Sequence, residues 1–399
     1  MRDEMDGSRR PEPHYPVTAF AVANALGSSA NAVAAELEAG RSGLRPCPFD
    51  LPFETVCGMF AGHLESLPPS LAGHDSRIAR MALAVIEGMA REVASAVRRW
   101  GSSRVAIAVG TSTGGILESE RALRTHAATG RLPERFDLDR QHAFHGFLEV
   151  LRARTGARGP AYVVSTACSS SGKVLGTARR LIAADLADAV VTGGVDTLCD
   201  TTLRGFGSLQ ALSRRPCRPF SAERDGTSIG EGGAFLLVER NGEGRVLLLG
   251  VGESSDAYHM AHPHPEGLGA RLAIEEALRH AGLDASAIDH VNAHGTGTVA
   301  NDAVEARAIA AAAGTAAAVT STKCYTGHLL GAAGATEAVF AALAIERGVV
   351  PATLGAEPLD PEVALDVCLE PRRGRFRTAL SNSMAFGGSN VAVLLGAPR

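Results

Sequence analysis

A cysteine at the junction of a β-branched strand and a helix has the makings of a nucleophile. It lies in Tyr162-Val-Val-Ser-Thr-Ala-Cys-Ser-Ser-Ser-Gly-Lys173, where the valines predict a strand and Cys168 its corner. Val174, Leu175, Ala178, Leu181, Ile182 and Leu186 follow at three- and four-residue spacing, which predicts a helix with one buried face. Backbone N–H groups and the positive end of a helix favour negative charge. A thiol at that corner is therefore expected to have a lowered pKa and to supply thiolate at neutral pH. The ordinary fate of a free cysteine is that of a small core residue. Ser169, Ser170, Ser171 and Gly172 predict a polar, open turn instead, and favour the nucleophile.

Two further stretches place proton-handling side chains at strand ends. In Asn292-Ala-His-Gly-Thr-Gly-Thr298, His294 ends an apolar strand, and the glycines after it permit a ligand to approach the backbone. In Ser321-Thr-Lys-Cys-Tyr-Thr-Gly-His-Leu-Leu-Gly-Ala-Ala-Gly334, Lys323 again follows a strand and His328 just precedes a helix. A helix N-terminus disfavours imidazolium, so His328 is expected to be neutral and able to donate one hydrogen bond. The bland reading of Lys323 is a solvated lysine, and its Gly/Ala-rich surroundings argue against that.

Three other patterns carry less. Gly110-Thr-Ser-Thr-Gly114 fits the G-x-S-x-G hydrolase elbow, but no strong helical pattern follows, so Ser112 is the weaker nucleophile. His259, His262 and His264 cluster in a proline-stiffened loop without a completing carboxylate or thiol pattern, which speaks against a metal site. Gly172-Lys173 lacks the glycine spacing of a P-loop.

The elements that must position these residues alternate. Val17–Leu26 predicts a first strand and turn, and 41–76 a loop-rich excursion. Ile78 to Val97 predicts one long helix with a buried face, and Arg104–Val109 a strand buried on both faces. Ala189–Val195 is another strand, and 203–233, rich in Gly, Arg and Pro, reads as a loop. After the turn Asn241–Gly244 the order repeats: strands at 246–251, 288–293 and 317–321 alternate with helices at 268–281, 302–313 and 331–347. Two strands, 378–381 and 390–395, close the chain around Met384-Ala-Phe-Gly-Gly388. This grammar predicts an α/β protein with largely parallel sheets covered on both faces and a site between two similar halves. The expected boundaries are a disordered tail over 1–15, an N-terminal half over 16–242 and a C-terminal half over 243–399.

Composition narrows the function classes. A formal charge of −4 gives no reason to expect nucleic acid as a partner. Seven scattered cysteines without a Cys-x-x-Cys predict reduced thiols in a cytoplasmic protein. No apolar run approaches the roughly 18 residues of a membrane span.

STACSSS around Cys168, AHGTGT around His294, K-x-x-x-GH-x-x-GAAG from Lys323 and the late FGGSN turn together resemble a β-ketoacyl-[acyl carrier protein] synthase, the condensing enzyme of fatty acid and polyketide assembly. The resemblance runs from about Val17 to Leu395. It implies a thiolase-like, five-layered αβαβα fold of two βαβ halves, acting as a homodimer or as a heterodimer with a related ketosynthase. It implies that Cys168 takes an acyl chain from a carrier-protein thioester while His294 and His328 hydrogen-bond the malonyl thioester oxygen, with Lys323 positioning the pair. The backbone N–H groups of Cys168 and Phe386 match the family's oxyanion hole, and Phe386 its gating ring. Thr296 and Thr298 match pantetheine contacts; Asp302, Glu305 and Glu337 match supporting carboxylates; Thr113 lies near the position that sets acyl-pocket depth. No metal or organic cofactor is implied, and the partner is an acyl carrier protein.

Two departures bear on the substrate: Ala385 stands where the family has glycine before the gating ring, and Val17-Thr-Ala-Phe-Ala-Val replaces V-T-G-x-G. They leave the chemistry as the resemblance implies it and the identity of the substrate open, with a specialised-metabolite synthase such as the aryl polyene type as a suspicion. A thiolase would want a late Cys-x-Gly, which is missing from 381–388. A subunit that only shapes a partner's acyl tunnel would have lost the nucleophile. A thioester hydrolase would release no CO₂ from a malonyl substrate.

Overall fold

The computed structural model describes residues 12–398. Eleven strands form one sheet: β1 (Tyr15–Ala23), β2 (Val105–Gly110), β3 (Ala161–Val164), β4 (Ala189–Asp196), β5 (Gly232–Glu239), β6 (Val246–Ser255), β7 (His290–Asn292), β8 (Ala318–Thr320), β9 (Asp366–Val367), β10 (Thr378–Ala385) and β11 (Ser389–Gly396). Its order is β9-β8-β7-β10-β11-β6-β1-β5-β4-β2-β3. Five strands on each side, β8-β7-β10-β11-β6 and β3-β2-β4-β5-β1, therefore follow the same plan, with β9 added at one edge, and the two sets join where Tyr15–Val17 pairs with Val246–Leu248.

The pairing is more mixed than the alternating pattern predicts. β2 runs parallel to β3 and β4, and β7 parallel to β8 and β10. β5 and β11 are antiparallel to both of their neighbours. For β11 the reason is local: it follows β10 after the three-residue turn 386–388, and a connection that short returns the chain antiparallel.

The main helices are α1 (Arg77–Glu87), α2 (Ala90–Trp100), α3 (Ile116–Thr129), α4 (His145–Thr155), α5 (Ser170–Ala183), α6 (Asp200–Ser208), α7 (Leu268–Ala281), α8 (Val299–Ala313) and α9 (Ala333–Arg347). One core cluster packs α1, α2 and α4 on the outer face of the first half-sheet. A second places α5 and α9 between the half-sheets, and a third packs α7 and α8 on the far side. These are the five layers. Val174, Leu175, Ala178, Leu181 and Ile182 are all buried on α5, and each large aliphatic side chain so placed stabilises the fold by about 1.5–3 kcal/mol. Leu186, the last of the predicted stripe, is exposed beyond the helix end.

Four local expectations change. The long helix over 78–97 is two helices, because the chain breaks at Gly88 and Met89. A helix, α3, does follow Gly110–Gly114; only Leu117 and Ala122 are buried on it, so it lacks the apolar stripe that would betray it. Residues 200–208, read in part as loop, form α6 around the single buried anchor Leu203. The tail expected over 1–15 lies outside the described residues up to 11, but Glu12 is held by Arg179 and His280 and Tyr15 opens β1.

Candidate active site

Cys168 sits in the corner between β3 and α5. Ala167 before it has φ 50°, a left-handed conformation that a non-glycine residue holds only when its surroundings impose it. The serines impose it: Ser170 Oγ donates to Ala167 O at 2.6 Å and accepts from Thr166 N at 2.9 Å. Ser171 Oγ accepts from Ala335 N at 2.9 Å and ties α5 to α9. Ser169, Ser170 and Ser171 are fully buried, so the run is an internal set of clamps where an open turn was expected.

Cys168 itself is buried, and its thiol is pushed up to about 12. This reverses the expectation of a resting thiolate. Burial is the largest influence; the Lys323 charge and a hydrogen bond from the Phe386 backbone favour the anion but do not overcome it. The sign for reactivity follows. A thiol is protonated below its pKa, so the thiolate fraction, and with it alkylation of Cys168 by iodoacetamide, is expected to climb about tenfold per pH unit from 7 to 9 without levelling. A plateau below pH 8 in intact-protein mass spectrometry would contradict it.

A cavity of about 270 Å³ is lined by Cys168, His294, His328, Thr296, Thr298 and Phe386, among others. The rings of His294 and His328 lie 5.1 Å apart, centroid to centroid, at 87°. Both are pushed well below the usual imidazole range, chiefly by burial and then by the Lys323 charge, with His328 adding to the effect on His294. The neutrality expected of His328 thus has burial, rather than a helix terminus, as its main cause.

Lys323 is fully buried, with Nζ 3.2 Å from His294 Nδ1 and 2.5 Å from Glu337 Oε1. An ammonium only donates, so His294 Nδ1 is its acceptor and Nε2 carries the ring's proton. Neither ring nitrogen of His328 has a hydrogen-bond partner among the described residues. Burial raises the Glu337 carboxyl to about 7 against the opposing pull of Lys323.

The remaining carboxylates hold the loop after His294. Glu305 accepts from the backbone N–H groups of His294 and Gly295, each at 2.7 Å. Asp302 accepts from Gly297 N at 3.1 Å with both oxygens, and from Phe220 N at 2.8 Å. Thr113 is not among the residues lining the cavity; its N–H and hydroxyl both bond to Asp196. Ser112 is likewise taken up, donating to Asp196 Oδ2 at 2.9 Å and accepting from Gly331 N at 3.3 Å. His259 and His262 bond to each other at 3.0 Å, and among the described residues no group of three or more side chains is placed to hold a metal.

Sequence reasoning passed over Asp196 and Arg224. Asp196, fully buried at the end of β4, accepts from the hydroxyls of Thr111, Ser112 and Thr113 and fixes that turn against the residues after His328. A side chain at Gly331 would come within 2.6 Å of its Oδ2, so only glycine fits there. Arg224 reaches the Thr298 carbonyl at 3.2 Å and the Asp360 carboxylate at 2.5 Å, steadying the Gly-Thr-Gly-Thr loop. Nothing local marks either residue, because their partners lie 74–136 positions away or in unpatterned turns.

The layered halves and the buried cysteine–histidine cavity define a thiolase-like α/β protein. Residues 17–243 match the beta-ketoacyl synthase N-terminal domain and 246–357 the C-terminal domain, and the chain belongs to the beta-ketoacyl synthase family. It is 32% identical to the "3-oxoacyl-[acyl-carrier-protein] synthase 2" of Mycobacterium bovis over 96% of this chain and 97% of that protein. It is 40% identical to the "3-oxoacyl-[acyl-carrier-protein] synthase 2" of Rhizobium meliloti over 60% of this chain, a match that spans 61% of the relative. Among solved structures, the ketosynthase ApeO in complex with its chain length factor ApeC from Xenorhabdus doucetiae superposes with a TM-score of 0.92 at 34% identity, covering both chains fully. The ishigamide ketosynthase/chain length factor gives 0.90 at 29%, over 97% of this chain and 100% of that one. No helix among the described residues is long and apolar enough to cross a membrane.

Proposed function

We propose that this chain is an acyltransferase performing decarboxylative Claisen condensation, in the cytoplasm, in fatty acid or polyketide assembly. The carrying observation is that one cavity holds a buried thiol and two buried, uncharged imidazoles, one of them anchored by a buried lysine. Cys168 Sγ attacks the acyl thioester of an acyl carrier protein. The new C–S bond forms, the carrier's C–S bond breaks, and the proton from Cys168 leaves on the released carrier thiol. Backbone N–H groups at Cys168 and Phe386 receive the transient oxyanion. Malonyl thioester then enters past Thr296 and Thr298 and loses CO₂. His294 Nε2–H and His328 donate to the thioester oxygen as it becomes an enolate, stabilising charge that exists only along the reaction. The enolate carbon attacks the acyl–Cys168 carbonyl and frees the thiolate.

A neutral imidazole suits this step: its N–H donates to the developing oxyanion without giving up the proton, so the enolate stays available to attack through carbon. Replacing His294 or His328 by alanine is expected to slow CO₂ release from malonyl-carrier thioester by about 100-fold or more, the order seen for losing one oxyanion donor. Acylation of Cys168 should persist. The deciding assay follows CO₂ and 3-oxoacyl product from the wild-type chain with acyl- and malonyl-carrier protein. Hydrolysis without CO₂ would favour a thioesterase.

A second reading concerns assembly. Both structural neighbours above are ketosynthase and chain length factor pairs. Because Cys168 is present, this chain would be the catalytic member of such a pair. Mass measurement of the purified chain, alone and with a candidate partner, separates a homodimer from that arrangement.

A further inference from the structure

Phe386 lines the cavity from the turn that joins β10 and β11, and its ring is partly exposed. The turn holds Gly387 and Gly388 at φ 83° and 75°, so its backbone can take conformations closed to other residues. Phe206 of α6 lines the same cavity. The two rings stack, with centroids 5.4 Å apart and 25° between planes.

The two rings are anchored very differently. Glu120 of α3 caps the first turn of α6, accepting from Asp200 N at 3.0 Å and Thr201 N at 2.6 Å, and Arg124 pairs with Asp200. Leu203 plants the same helix in a buried cluster with Cys57, Ile229 and Leu330. Phe206 is therefore a fixed post. The Phe386 turn is tied through Gly388 O, which accepts from Asp256 N at 2.8 Å and from Asn390 Nδ2 at 3.1 Å, and through Gly387 N, which donates to Met260 O at 2.8 Å. Met260 is itself largely exposed, so that support is a surface loop.

We propose that Phe206 is a positioning residue: by stacking on Phe386 it holds the turn whose backbone N–H faces Cys168, and so governs both access to the thiol and the quality of the oxyanion donor. The access half stands on geometry alone; the donor half rests on the condensing reaction proposed above. Loss of the stack has opposite consequences for two reactions of the same sulfur. A small alkylating reagent gains entry, while acyl transfer loses a fixed N–H. General loosening of the protein would not separate the two in that way.

The test compares the wild-type chain with Phe206→Ala, Phe206→Leu and Phe206→Tyr. In Phe206→Ala, iodoacetamide should alkylate Cys168 about three- to tenfold faster, while acylation by octanoyl N-acetylcysteamine falls by a similar factor in kcat, the scale of one aromatic stacking contact. KM should change little. Phe206→Tyr, which keeps the stack, should restore both rates; Phe206→Leu, which keeps bulk without a ring, should behave as the alanine variant and serves if that variant misfolds. Unchanged rates in both non-aromatic variants, or both reactions moving together, would overturn the proposal. Should the wild-type chain fail to acylate at all, the condensing reading falls, and the alkylation comparison alone decides whether the stack controls access.

Discussion

Replacing Cys168 by alanine is expected to abolish the acyl-enzyme and to lower condensation by at least about 10⁴-fold, the order of effect seen when a nucleophile that defines a covalent mechanism is removed. Among the described residues, no second thiol lines the cavity. Of the seven cysteines, all unpaired, only Cys168 lines it. Ser112 is committed to Asp196 and Gly331, and Ser169 donates to the Thr166 carbonyl at 2.9 Å. Intact-protein mass spectrometry after exposure to an acyl-carrier thioester checks this: the mass increment seen in the wild-type chain should be absent from Cys168→Ala. A persisting increment would remove the foundation of the mechanism. Malonyl decarboxylation is predicted to survive, because His294, His328 and Lys323 keep their contacts without the thiol.

The contrast between Cys168 and Phe206 explains what could be read from the chain. Cys168, His294 and Lys323 each follow an apolar strand directly, and glycines or small residues surround the turns that receive them. That signature is local, so the residues were recognisable one at a time, and their order matched a family pattern. The repeat of element order was legible for the same reason. Phe206 sits on a helix with one buried anchor in a Gly- and Arg-rich stretch, and periodicity has nothing to grip there. Asp196 acts through hydroxyls at 111–113, and no spacing rule connects an aspartate to a turn 83–85 residues earlier. The Cys168 thiol failed for a third reason. Proximity to a helix start can be inferred from sequence, but the burial that outweighs it comes from tertiary packing.

The same balance of burial against charge makes Lys323 the most consequential residue behind the histidines. Lys323 and Glu337 form an ion pair whose side chains are 0% and 5% exposed. Removing one partner strands the other's charge in a medium that solvates it poorly, which costs about 3–5 kcal/mol. Lys323→Ala should therefore lower the unfolding free energy by roughly that amount in a denaturant titration at pH 8. The pH dependence has a definite sign. With the lysine present, burial already raises Glu337 to about 7; without it, the favourable pull is lost and the carboxyl rises further. The folded variant then binds a proton that the unfolded chain releases, so its deficit should shrink as pH falls from 8 to 6. Activity separates from stability in the double variant. Lys323→Met with Glu337→Leu removes both charges and should recover much of the lost stability, because a buried pair replaced by apolar groups of similar volume is often neutral. Condensation should not recover. Without the ammonium, nothing at 3.2 Å fixes His294 Nδ1 as an acceptor, and the Nε2–H proposed to meet the enolate oxygen is no longer assured. If the double variant regained activity along with stability, Lys323 would be a structural residue and His294 would need another source of its orientation.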